Sequence, residues 1–173
     1  MWKVFSSITL LIIGLCTSLI AQEEQMNNKL MDEIFRETAD HVEGDDGVWQ
    51  VQLGERILLV ITDETNNRMR IFTPIIEQKD METDHRQKML EANFHSALDA
   101  KYALYNDFVV SLFTHPLREL TRPQLIDVMY QVVNLANTYG TTYSSTGLIF
   151  GGDTETKEDE KRINQSPRKS KKS

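Results

Sequence analysis

The chain has 173 residues, with 19 Lys or Arg against 26 Asp or Glu, a net charge of −7 and 40% hydrophobic residues. That length suits one globular domain, while 26% charged residues exclude a multi-span membrane protein. A single cysteine excludes a disulfide framework and a cysteine-built zinc site.

The first 21 residues read as an export signal. Lys3 gives a positive start, 4–21 is almost wholly apolar, and Ala21 is followed abruptly by Gln22-Glu23-Glu24. Cleavage after Ala21 removes Cys16 and leaves a cysteine-free chain, which suits an oxidising compartment. The rival reading is a retained anchor, since about 18 apolar residues approach the length that spans a bilayer. A lipoprotein reading through Cys16 is weaker, because Leu15 stands where a small residue belongs.

From 26 to 42, Leu30, Met31, Ile34, Phe35, Thr38 and Val42 fall at helical spacing, and Gly44-Asp45-Asp46-Gly47 stops that helix. Three strands follow. Residues 48–53 alternate, with Trp49, Val51 and Leu53 on one face, and Gly54-Glu55 reverses the chain. The run Ile57-Leu58-Leu59-Val60-Ile61 reads as a central strand covered on both faces. After turn-forming residues 63–67, a third strand runs over 68–76 until Pro74 weakens its end.

A second helix spans about 83–95, with Met89, Leu90, Ala92 and Phe94 as apolar members. Strands 101–105 and 108–114 flank a turn at Asn106-Asp107. The third helix is the best-signalled element. Thr121 and Gln124 form a capping box, Pro123 sits in the first turn, and Ile126, Met129, Val132, Val133 and Ala136 make its stripe before Gly140 caps it. The order α-β-β-β-α-β-β-α predicts an α+β domain over 22–152: a five-stranded antiparallel sheet with helices on one face.

Residues 153–173 hold seven basic and five acidic side chains and a single aliphatic one, Ile163. Such a stretch buries too little apolar area to offset its ordering entropy and reads as a disordered charged tail. Its basic cluster 168–172 is of a kind that contacts anionic lipid, and with a retained signal it is the only membrane contact the sequence offers. Removing the tail (+2) and the first 21 residues (+1) leaves 11 basic and 21 acidic residues in 22–152, a net of −10. That balance argues against nucleic acid and steers a basic partner surface inward.

The helix segment Met89-Leu90-Glu91-Ala92-Asn93-Phe94, the Asn106-Asp107 hairpin and the 117–125 stretch Leu-Arg-Glu-Leu-Thr-Arg-Pro-Gln-Leu accompany a three-strand meander. Together, over about 30–140, they resemble the Tir chaperone (CesT-like) and YbjN superfamily, with its type III secretion chaperone-like fold. The resemblance implies a small, often dimeric module without enzymatic activity that holds extended or amphipathic segments of a partner protein. In secretion chaperones that partner is an effector wound around hydrophobic patches of a cytosolic dimer. The export signal departs from that pattern.

Catalytic patterns are sparse. His41, His85, His95 and His115 fall in different elements without the i, i+4 spacing of a helical metal site. Asp45-Asp46 and Asp63-Glu64 lack the alternating oxygen ligands that calcium needs. Ser144-Ser145-Thr146-Gly147 lacks the flanks of a nucleophile elbow, and Gly151-Gly152 opens no helix that would cradle phosphate. No catalytic residue, metal site or cofactor is expected.

Binding has better candidates. Met69, Met81, Met89 and Met129 are adaptable side chains that more often fill core gaps. Leu148-Ile149-Phe150, after a polar linker, reads as a latch on the domain's own sheet or as a partner-binding segment. An edge strand offers strand addition or dimer pairing. The expected contacts are Met89, Phe94, Leu148, Ile149 and Phe150. The sequence thus reads as an exported, periplasmic or extracellular, non-enzymatic homodimer that binds a protein or peptide through apolar surface. The alternative is an envelope hydrolase or metal-dependent enzyme assembled from scattered residues such as Asp45, His115 and Ser145.

Overall fold

The structure, a computed structural model, describes residues 25–146. The export segment, the charged tail and the 148–150 triplet lie outside the described residues. The first helix, α1 (Asn28–Thr38), opens at Asn27, whose side chain accepts the Leu30 amide at 2.9 Å. Met31, Ile34 and Phe35 form its fully buried face.

The helix ends before Val42. Ala39 is already extended (φ −91°, ψ 157°), and the next residues form a strand, β1 (His41–Asp45). Val42 therefore belongs to a strand although its spacing fits the helix. Asp46 (φ 45°) and Gly47 (φ 101°) take the left-handed conformations of a two-residue hairpin and reverse the chain into β2 (Val48–Leu53). Gly44 is required beside them, because at its φ of 93° a Cβ would meet the Val48 carbonyl oxygen at 2.2 Å.

The remaining strands are β3 (Arg56–Asp63), β4 (Arg68–Glu77), β5 (Lys101–Tyr105) and β6 (Phe108–His115). The sheet is antiparallel throughout in the order β1-β2-β3-β4-β6-β5. The expected α+β architecture holds, with six strands where the sequence reading has five. Strand β4 continues past Pro74 to Glu77, because a bulge between Pro74 and Ile76 absorbs the missing amide.

Two further helices, α2 (His85–His95) and α3 (Arg122–Asn137), complete the fold. The capping box forms as the sequence predicts: Thr121 and Gln124 each bond the other's backbone. Helix α3 lies over β4 and β6, and α1 lies against β1. Trp49, Val51, Leu53, Leu58, Val60, Met69, Ile71, Val109 and Phe113 point from the sheet into this helical layer and are buried.

Polar groups inside the layer are largely paired. Trp49 meets Phe35 edge-to-face at 5.5 Å and donates its indole N–H to Asp32 at 3.0 Å. The Arg36 guanidinium, bonded to Asp32 at 2.8 and 2.9 Å, holds that carboxyl below the ordinary value, with help from the Trp49 N–H against the opposing effect of burial. Arg56 ties β3 to Asn137 Oδ1 (2.8 Å) and to the Pro74 carbonyl (3.2 Å). The Tyr102 hydroxyl donates to the Leu135 carbonyl at 2.8 Å, and burial pushes its pKa up.

Candidate protein-binding surface

Side chains alternate along a strand, so each residue between the inward set faces the opposite side of the sheet. On that outward side the register aligns Leu59 with Phe72, Phe72 with Leu112, and Ala103 with Val110, a row of apolar pairs crossing four strands. Val48, Ile57, Ile61, Tyr105 and Phe108 extend it and are exposed. No described element lies over this face.

The expectation that β3 is covered on both sides is therefore corrected. Leu58 and Val60 are fully buried, whereas Ile57 and Ile61 remain 49% and 44% exposed. At the centre of the face is a groove of about 220 Å³ lined by Ile61, Arg70, Phe72, Tyr105, Val110 and Leu112. Tyr105 stands edge-on to Phe72 at 5.6 Å and forms one wall. Arg70 supplies a charged donor beside the apolar walls, an arrangement that suits a side chain or backbone carbonyl of an approaching chain.

A second apolar feature lies on α2. Met89 and Ala92 turn into the core, Met89 with only 5% exposure. Leu90 and Phe94, four residues apart and so on one face, are 66% and 77% exposed. Of the five expected contact residues, Phe94 is thus on the surface and Met89 is in the core, while Leu148, Ile149 and Phe150 lie outside the described residues. Met69 and Met129 are likewise buried.

The two sheet edges differ. On β5, the Asn93 side chain accepts the Tyr102 amide at 2.7 Å and donates to the Tyr102 carbonyl at 3.1 Å. Helix α2 thereby occupies the outward backbone groups at the middle of that edge and blunts it. Strand β1 forms the other edge and is mostly exposed.

The scattered catalytic residues do not come together in the topology. Asp45 ends edge strand β1, His115 ends β6 with β2, β3 and β4 between, and Ser145 is buried against the Ser96 carbonyl at the end of α2. His115 Nδ1 lies 2.7 Å from the Pro116 carbonyl. Among the described residues, metal-ligating groups converge at Glu82, Asp84 and His85, at the start of α2.

No family model matches the chain, and no curated protein matches it. Solved structures do. The fold is similar to a chain of the HopA1-SchA chaperone-effector complex, at 17% identity and a TM-score of 0.50, over 64% of this chain and 90% of that one. It is also similar to a chain of the Yersinia pestis type III secretion chaperone SycH in complex with a stable fragment of YscM2. There the identity is 16% and the TM-score 0.50, over 65% of this chain and 98% of the other. The chain has the type III secretion chaperone-like fold. At this identity the likeness concerns architecture, and activity has to be argued from the surface itself.

Proposed function

We propose that this chain is an exported, non-enzymatic interaction module that binds a segment of a partner protein on the outward face of its sheet. One observation supports it above the others: an antiparallel sheet with helices on one side exposes on the other Val48, Ile57, Ile61, Tyr105 and Phe108 around a row of apolar pairs, where alternation with polar residues is the norm. The similar solved structures are of chaperones with bound proteins, which agrees with a protein partner.

The partner segment is amphipathic, its apolar side chains entering the groove beside the Phe72–Tyr105 pair and its polar side meeting Arg70. Basic flanks favour its approach, because residues 22–152 carry a net charge of −10. The module is a homodimer in this reading, with Leu90 and Phe94 of α2 meeting the same pair of a second copy.

Light scattering on the full chain during size exclusion tests the dimer, and the account expects twice the mass of one chain, reduced to one by Phe94→Glu. Titration with a fluorescently labelled amphipathic basic peptide tests the surface. Saturable binding weakened at least about tenfold by Ile61→Lys is expected. Indifference to every such peptide would remove the reading.

A further inference from the structure

The end of the segment between β4 and α2, with the first residue of α2, brings together three side chains of metal-ligating chemistry. Glu82, Asp84 and His85 each offer one ligand atom, and these atoms all lie within 4.8 Å of one another. His85 Nε2 is 3.4 Å from Glu82 Oε2. Two ligands on one tetrahedral ion with bonds of about 2.1 Å stand about 3.4 Å apart, so this pair already has the spacing of a shared ion.

The histidine is oriented for the task. Its other ring nitrogen, Nδ1, is 3.0 Å from the Tyr139 hydroxyl, and its ring is held perpendicular to Tyr139 at 5.2 Å and to Tyr143 at 6.0 Å. A ligating histidine is commonly fixed in this way, with one nitrogen bonded to the protein and the other left for the metal.

A second observation, independent of the cluster, also points to a ligand. Tyr143 is 7% exposed, and its buried hydroxyl, beside the Gly140 backbone, has no side-chain hydrogen-bond partner among the described residues. Its ring lies 6.0 Å from that of His85, one of the three ligands. A buried hydroxyl without a partner is costly, and water held on an ion at the cluster would supply one. Lys88 Nζ meanwhile lies 2.6 Å from Asp84 Oδ2 on a half-exposed stem, a cation that can swing aside when another takes its place.

We propose that Glu82, Asp84 and His85 form a divalent-cation site, of the nitrogen-and-oxygen type zinc fills, which ties the start of α2 to the turn after α3. Two carboxylates and a neutral imidazole balance the ion's charge and leave a fourth position for water. The anchoring reaches α3 through Tyr139 and Tyr143, both beyond its last residue.

The probe is Zn²⁺ in calorimetry and Co²⁺ in visible absorption, on the full chain carrying Cys16→Ser so that no thiol contributes. One ion per chain is expected. His85→Gln and Glu82→Gln should each weaken it by at least about tenfold, a loss comparable to that seen on removing supporting groups of metal sites. Lys88→Gln should tighten it by removing the competing cation, and His115→Gln should leave it unchanged. Circular dichroism checks that each variant is folded, and Glu82, being exposed, keeps the test valid if His85→Gln disturbs folding. No stoichiometric binding, binding indifferent to His85 and Glu82, or binding weakened by Lys88→Gln would overturn the site.

Discussion

The two faces of the one sheet both carry rows of apolar side chains and have opposite surroundings. Inward, Trp49, Leu58, Val60 and Ile71 are sealed under α1 and α3; outward, Ile57, Ile61, Tyr105 and Phe108 meet solvent, although Ile57 and Leu58 are neighbours in one strand. What separates them is cover, since the helices of the described residues all lie on one side. An apolar face without cover adds little to folding and is available for binding, so the covered side holds the fold and the open side is where the proposed partner binds.

The comparison breaks first at stability. Leu58→Ala should cost about 2–5 kcal/mol, the usual loss for a large-to-small change in a core. Ile57→Ser beside it should stay within about 0.5 kcal/mol, as for surface positions. Urea denaturation of both variants is the check, and equal losses would mean that the outward face is covered in solution.

Binding should show the reverse order. Ile57→Ser with Ile61→Ser should lower affinity for an amphipathic peptide by at least about tenfold, or about 1.4 kcal/mol, with the melting temperature nearly unchanged. Fluorescence titration and thermal melts on the same samples separate the two effects.

Acid should act on the covered side. Asp32 is held below the ordinary aspartate value of 3.8, chiefly by Arg36, so its folded form is the more reluctant to take up a proton. Its contribution is complete above 3.8 and is lost as pH falls through the lowered folded value. Asp32→Asn should flatten that part of the stability–pH curve, measured by denaturant midpoints across the acid range.

The smallest effect lies at Ser111, on the covered face between Thr73 and Tyr102, whose hydroxyl is buried without a partner among the described residues. Ser111→Ala should be neutral or stabilise by up to about 1 kcal/mol, because it removes a group that lost its water for nothing.

Much of the covered side was legible in the sequence. Alternation in 48–53 marks Trp49, Val51 and Leu53 as inward, and the Thr121–Gln124 box places the start of α3 at its observed position. Strand β1 was hidden because Val42 falls at helical spacing from Phe35 and Thr38, and local periodicity cannot see that Ala39 turns extended. The signal that could have found it was Asp46-Gly47, a hairpin dipeptide between two short runs, here read only as a helix stop.

The open face was harder to see. A run such as Ile57-Leu58-Leu59-Val60-Ile61 looks the same whether one or two layers cover it, and cover is a property of the whole chain. On α2, Met89 and Phe94 both count as apolar members, yet 3.6-residue geometry sends one inward and the other out. The cluster at Glu82, Asp84 and His85 escaped for a related reason: its orienting tyrosines, Tyr139 and Tyr143, come from more than 50 residues further along the chain.

The most direct test of the central claim is methyl and aromatic NMR of the folded chain titrated with an amphipathic peptide. The account predicts shifts concentrated at Ile57, Leu59, Ile61, Phe72, Tyr105 and Leu112, with Leu58, Val60 and Ile71 undisturbed. Shifts confined to the helical side, or none on the outward face at saturation, would contradict it.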